Sequence, residues 1–411
     1  MTEQAILLKL SPDSILVKKT IETKRIIEIS IKAPVAAANK TRTPVNLALV
    51  IDRSGSMADE KLEYVKQAAC HVLDLLDEHD HISVVAYDDV VETITSNVMV
   101  TPSNRNEVKS AINQLFPRNM TDLGGGWMRG CQLIADNIDL EEINRCLLLT
   151  DGLANRGITE LEELSLHSRE LHARGVSTSC FGVGEGFNEH LLEAMANQGG
   201  GKFYYIGKPS EIPAIFAREL SELTSVIAHR VEIKAILPEG VDALVPGGWK
   251  VEQSGSDLTI FPGDLYSGQE SEFYLKLSIP AEGKLPKISL KVEVSSQGAD
   301  APKPVSDELT LVYEDDAIVD RAPLDAAMLG RYSVVEVAEA ANEALKLERQ
   351  GRRQEARNAL HQSIDGQDAY LPAASRVLYQ DMSERMARGM LEADRKQSHD
   401  QNYQDRKRFN K

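Results

Sequence analysis

Residues 48–61, ALVIDRSGSMADEK, run an apolar segment into an aspartate, two serines and a glycine, and then into the start of an amphipathic pattern. Two readings of this junction compete. Asp, Ser and Gly are turn formers, and a Ser or Asp ahead of a helix satisfies its unpaired N–H groups. The same residues also set a cluster of hard oxygen donors at the tip of a buried strand. Motifs of this length recur by chance, so the surrounding sequence must decide.

From Asn46 to about Ile227, short apolar runs alternate with helical stretches. The runs NLALVID (46–52), HISVVAY (81–87), RCLLLTD (145–151), VSTSCFGVG (176–184) and KFYYIG (202–207) read as strands. Between them, segments such as KLEYVKQAACHVLDLLDEH (61–79) and GGGWMRGCQLIADNI (124–138) carry apolar residues at spacings of three and four. The last helical stretch is EIPAIFARELSELTSVI (211–227). Strand and helix in turn predict an α/β unit with a doubly wound, mostly parallel sheet, and the central strands are apolar on both faces as such a sheet requires.

The flanks follow a different period. ILLKLS, SILVKKT and RIIEISIKAP before Asn46, and VEIKAILPEG, SDLTIFPGDL, SEFYLKLSIP, KISLKVEVSS and ELTLVYED after His229, alternate apolar and polar residues. That is the pattern of antiparallel strands with one wet face. Three early strands are too few to bury a face alone. The prediction is therefore one discontinuous β-sandwich from 1–43 and 229–315, with the α/β unit of 44–228 inserted in it; two separate small β units are the alternative. Beyond Asp315 the pattern is helical over 316–396, with a hairpin at Gln350 and Gly351. The stretch 397–411 is polar and unpatterned, and disorder is expected there.

The chain has 411 residues, with 46 Lys and Arg against 63 Asp and Glu, a net charge of -17. Such an excess of acid disfavours nucleic acid and anionic lipid as partners. No run of about 18 apolar residues appears, and the first residues lack a basic stretch followed by an apolar core, so a cytoplasmic protein with no membrane span is expected. The four cysteines form no C-x-x-C pair, which argues against a zinc site.

In doubly wound sheets ligands bind beyond the carboxyl ends of the strands. Asp52, Ser54 and Ser56 follow one strand, and Thr150 and Asp151 end another. FPRNMTDLGGGW places Thr121 and Asp122 in a loop before a glycine-opened helix. The donors are carboxylates and hydroxyls, which suit a hard divalent ion such as Mg²⁺, with Mn²⁺ or Ca²⁺ as alternatives. G-x-S-x-G, G-x-x-x-x-G-K-[ST] and H-E-x-x-H are all missing, so no motif supports catalysis.

The order Asp52, Ser54, Ser56, then Thr121, then Asp151 resembles the D-x-S-x-S, Thr, Asp pattern of the von Willebrand factor A domain and its metal-ion-dependent adhesion site. The likeness runs over 44–227 through ALVIDRSGSM, TDLGGGW, LLLTDG and SCFGVGEGFNEHLLEAMANQGGGKFYYIG. With FPGDLYSGQESEFYLKLSIP, the flanks are similar to bacterial A-domain proteins of the calcium-activated-channel-like and inter-alpha-trypsin-inhibitor-like type. The resemblance implies an ion on Ser54, Ser56 and, with ligand bound, Thr121, while Asp52 and Asp151 act largely through water. It implies a partner's Asp or Glu carboxylate as the external ligand. By loop position the rim would be Arg53, Met57, Asn119, Met120, Asp122, Leu153, Asn155 and Arg156. The implied function is a metal-dependent protein–protein scaffold or adaptor and not an enzyme. The alternatives are a regulatory subunit of a separate ATPase, kinase or phosphatase system, and after these a metal-dependent hydrolase.

Overall fold

The computed structural model describes residues 5–35, 42–118, 120–282, 287–297 and 301–407. Three strands open the chain: β1 (Leu7–Pro12), β2 (Leu16–Lys18) and β3 (Thr23–Lys32). The α/β unit follows with β4 (Val45–Asp52), α1 (Glu60–Leu75), β5 (His81–Tyr87), β6 (Val91–Met99), α2 (Pro102–Asn113) and α3 (Leu123–Ala135). It continues through β7 (Ile143–Thr150), α4 (Leu161–Ala173), β8 (Ser177–Val183), α5 (Glu189–Gln198), β9 (Gly200–Ile206) and α6 (Ile212–Leu223).

The sheet of this unit has the order β6-β5-β4-β7-β8-β9. Every pair is parallel except β5 with β6. Strand β6 is absent from the sequence reading because VETITSNVM is half-exposed along an edge and carries no continuous apolar run. The central strands β4 and β7 are buried at every position, as strands covered on both faces must be. They lie side by side with Ile51 opposite Leu149, which brings Asp52 beside Thr150 and Asp151 at one carboxyl edge.

Helix α6 ends four residues earlier than the periodicity suggests. Val226 already belongs to β10 (Val226–Ile236), which β11 (Asp242–Leu244), β12 (Lys250–Ser254) and β13 (Asp257–Tyr266) follow. Then come β14 (Glu270–Ile279), β15 (Lys287–Gln297) and β16 (Val305–Glu314). A four-stranded sheet, β1-β3-β14-β11, and a six-stranded sheet, β12-β13-β10-β15-β16-β2, form an antiparallel sandwich apart from the parallel contact of β16 with β2. The α/β unit is inserted between strands of this sandwich. The long ladder from Thr23↔Ile279 to Lys32↔Glu270 joins β3 to β14 across the whole insertion. Ile27, Ile29 and Ile31 of one sheet share a core with Ile233, Leu290 and Val292 of the other.

The helical region comprises α7 (Asp316–Val319), α8 (Ala326–Arg349), α9 (Arg353–Gly366), α10 (Ala373–Arg388) and α11 (Glu392–Lys407). Met328, Leu329, Tyr332 and Val335 of α8 pack on Ile26 and Tyr274 of the sandwich, and Ala338, Ala341 and Ala344 let α9 approach closely. The expected disorder from Gln397 is corrected over 397–407, which is helix; residues 408–411 lie outside the described residues. Composition misleads there because α11 buries polar groups that find partners elsewhere in the chain. Arg395 forks onto buried Glu348 at 2.6 and 3.0 Å. Tyr379 donates to Asp405 at 2.7 Å, and the Lys407 ammonium lies 3.8 Å over the Trp249 ring. Among the described residues no helix is long and apolar enough to cross a membrane.

Candidate metal centre

Strand β4 ends on Asp52, whose side chain is fully buried. One oxygen accepts from the Ser54 backbone N–H at 2.8 Å and the other from the Thr150 hydroxyl at 2.6 Å. The chain then turns through Gly55–Met57 as a single 3-10 turn, which brings Ser54 Oγ and Ser56 Oγ to 3.1 Å of each other. From the neighbouring strand, Asp151 accepts from Ser56 Oγ at 2.6 Å.

Thr121 arrives on the loop before α3. Its N–H donates to Asn155 Oδ1 at 3.1 Å and its carbonyl accepts from the Asn155 N–H at 3.3 Å, so the Thr121 loop is tied to the loop after β7. A Cβ built at Gly152 would stand 3.5 Å from Thr121 Oγ1 and 3.6 Å from Ser56 Oγ. Gly152 therefore leaves open a small cradle between hydroxyls of two loops. Asp52, Ser54, Ser56, Thr121 and Asp151 are thus brought together, although they span a hundred residues of sequence.

Burial pushes the Asp52 carboxyl up to about 6; hydrogen bonds from Thr150 and Ser54 pull it down, and the neighbouring charge of Asp151 adds to the rise. A buried acid held this way lacks a full counter-charge. The ammonium of Lys61, in the first turn of α1, pairs with Asp151. The donor set fits a hard divalent cation: it consists of oxygens alone, holds two buried carboxylates, and keeps a cradle that a side chain at Gly152 would enter.

The rim is narrower than loop position suggests. Met57 is fully buried because the turn directs its apolar side chain into the core, so it is no rim residue. Arg53 is also buried and is corrected in the same way: its guanidinium reaches Asp88 and Glu92, each at 2.8 Å. Asp122 caps α3 by accepting from Gly125 N–H at 2.9 Å. Met120 and Leu153 are about half exposed, at 49% and 55%, and exposed Arg156 lies 3.6 Å from Asp89. Asn119 lies outside the described residues.

Sequence reasoning missed three contributors. Asp88 joins the loops, for its carbonyl takes the Asp122 N–H at 2.8 Å while its carboxylate holds Arg53. Thr150 orients Asp52, and Lys61 neutralises Asp151. Of these, Lys61 alone left a legible signal: a cation in a helix's first turn opposes the helix dipole.

The fold of the α/β unit accords with what comparison with known proteins finds. Residues 46–218 match the von Willebrand factor type A domain family, so the chain carries this domain. Over 335 residues it is 26% identical to the uncharacterized protein sll0103 of Synechocystis sp., covering 77% of this chain and 78% of that one. It is also 26% identical over 287 residues to human inter-alpha-trypsin inhibitor heavy chain H3, covering 68% of this chain and 30% of the relative. The chain thus spans about a third of that relative's length. Among solved structures, a von Willebrand factor type A protein from Catenulispora acidiphila superposes with a TM-score of 0.71 at 16% identity, over 91% of this chain and 92% of that one. The ArnB paralog VWA2 from Sulfolobus acidocaldarius does so with a TM-score of 0.62 at 16% identity, covering 97% and 98% of the two chains. These two likenesses extend through the sandwich and helices and concern the fold.

Proposed function

We propose that the protein is a metal-dependent protein-binding adaptor that takes an acidic side chain of its partner at the carboxyl edge of β4 and β7. The observation that carries the reading is the meeting of oxygen donors from three loops around the Gly152 cradle, with the buried carboxylates of Asp52 and Asp151 beside them and Lys61 paired to Asp151. Ser54, Ser56 and Thr121 would hold the ion, with Asp52 and Asp151 behind them. Mg²⁺ suits this set, with Mn²⁺ or Ca²⁺ next, and when bound it supplies an electrophilic position that an outside carboxylate oxygen can take.

The remaining work falls to the chain itself. Thr150 and the Ser54 N–H hold the Asp52 carboxylate still, Asn155 fixes the Thr121 loop, and Arg53 with Asp88 keeps the base of the site closed. Exposed Met120 and Leu153 flank the opening and offer apolar contact beside the acidic group. Binding is favoured over catalysis because the side chains that meet at the cradle are hydroxyls and carboxylates with one lysine, Lys61, paired to Asp151. Three buried, unpaired thiols, Cys131, Cys146 and Cys180, suit work in the reducing cytoplasm.

The test is affinity capture with the intact protein as bait, in Mg²⁺ and in EDTA, beside Asp52→Ala. A partner retained in Mg²⁺, lost in EDTA and lost with the variant supports the reading. Partners indifferent to both treatments would remove the metal from the interaction.

A further inference from the structure

Lys61 occupies an unfavourable place for a cation. It lies in the first turn of α1, where the helix dipole favours the acids Glu60 and Glu63 on either side of it. Its ammonium nevertheless turns inward. It pairs with Oδ2 of Asp151 and donates to the Ser56 carbonyl at 3.1 Å, leaving the side chain 31% exposed. A Cβ at Gly184, in the loop after β8, would lie 3.9 Å from both Cε and Nζ of Lys61, so the backbone of this loop passes close to the lysine. The second oxygen of Asp151 holds Ser56. One carboxylate therefore contacts a resident cation and a hydroxyl of the donor set at once.

We propose that Lys61 is a tethered counter-cation that fills the metal's electrostatic role in the metal-free protein and is displaced from Asp151 when the metal enters; this rests on the reading of the site as a metal centre. An ammonium on a flexible four-carbon stem can leave one carboxylate without unfolding its helix, whereas Asp151 is fixed at a strand end. While Lys61 is seated, its ammonium offsets the charge of Asp151. Entry of a divalent ion is then an exchange of one cation for another, and Lys61 sets the metal concentration at which the site fills. The two consequences differ in sign. Loss of the lysine charge tightens metal binding, because no competitor remains and the local potential is more negative. The same loss lowers the melting temperature of the metal-free protein. A lysine that only braced the loops would weaken both together.

Isothermal titration of Mg²⁺ into wild type, Lys61→Met, Lys61→Arg and Asp52→Ala, with melting curves in EDTA, separates these outcomes. Lys61→Met is expected to bind Mg²⁺ about tenfold more tightly and to melt lower without metal, while Lys61→Arg stays near wild type. An affinity of Lys61→Met equal to or weaker than wild type, with binding abolished in Asp52→Ala, overturns the role of Lys61 and leaves the metal centre standing. Wild-type affinity in Asp52→Ala overturns both. Should Lys61→Met fail to fold, side-chain ¹⁵N-lysine NMR of the wild type decides: the Lys61 ammonium signal should move as Mg²⁺ is added, and a signal unchanged through saturation overturns the exchange.

Discussion

At the carboxyl edge of β4 and β7, buried Asp151 pairs with Lys61, while buried Asp52 is held by neutral hydrogen-bond donors, the Ser54 N–H and the Thr150 hydroxyl. On α11, Arg395 grips buried Glu348, the Met390 N–H adds a third hydrogen bond to it at 3.2 Å, and Lys407 caps Trp249. Both regions bury acids, but Glu348 meets a guanidinium that takes both its oxygens, whereas Asp52 accepts from the Ser54 N–H and the Thr150 hydroxyl, which carry no charge. The difference shows in the acids themselves. Burial pushes Asp52 up and its hydrogen bonds only partly offset that rise, whereas at Glu348 burial is outweighed by Arg395 and Met390 and the carboxyl is held below its usual range. A polar cluster short of counter-charge is built to receive something, and one that is balanced acts as a clamp.

The sharpest way to break this contrast is Glu348→Ala. If α11 is a clamp, the variant leaves Arg395 without its main partner and lowers stability by about 3 kcal/mol in chemical denaturation. Because the Glu348 carboxyl is held below 4.5, its stabilising contribution is present above that pH and is lost as the pH falls through the lower native value. Unchanged denaturation of the variant would make the clamp decorative.

The next effect has the opposite sign. Metal-free, Asp52 keeps its proton in the native state up to about 6 but only to 3.8 when unfolded. Native protein then binds the extra proton between these values, so stability falls as the pH rises through this window, by roughly 3 kcal/mol at its upper end. Asp52→Asn should flatten that slope in EDTA. A slope that persists in the variant would belong to another group.

Slightly smaller is the gain from metal itself. At about one hundred times its dissociation constant, Mg²⁺ should add about 2.7 kcal/mol to unfolding, and Asp52→Ala should lose the gain. Mg²⁺ should leave the contribution of the Glu348–Arg395 pair unchanged, which distinguishes the receiving cluster from the balanced one. The smallest effect is Lys407→Met: removing the cation from the Trp249 ring and its bond to the Gly248 carbonyl at 2.9 Å should cost about 1 kcal/mol, read as a small shift in the denaturation midpoint.

How much of this is written in the chain follows from what is local. The alternation of apolar runs with helical stretches reports the α/β class, and the period-2 flanks report a second, antiparallel architecture, because backbone geometry imposes those periods on any strand or helix. Asp52, Ser54, Ser56 and Asp151 can be picked out for the same reason, since they sit where apolar runs stop, while Thr121 is legible only through the order of a known family pattern. Tertiary structure alone decided which of these oxygens have partners. Lys61 meets Asp151 and Thr150 meets Asp52 because β4 and β7 are neighbours. Arg53 turned from rim residue to buried brace because Asp88 lies at the end of the adjacent strand β5. Edge strand β6 and helix α11 escaped the sequence reading on the same ground. An edge strand has no continuous apolar run, and a helix buried through charges looks solvated until Glu348 and Trp249, distant in sequence, come into reach. Periodicity depends on a residue's own backbone, whereas charge balance depends on which distant residues the fold brings within a few ångströms.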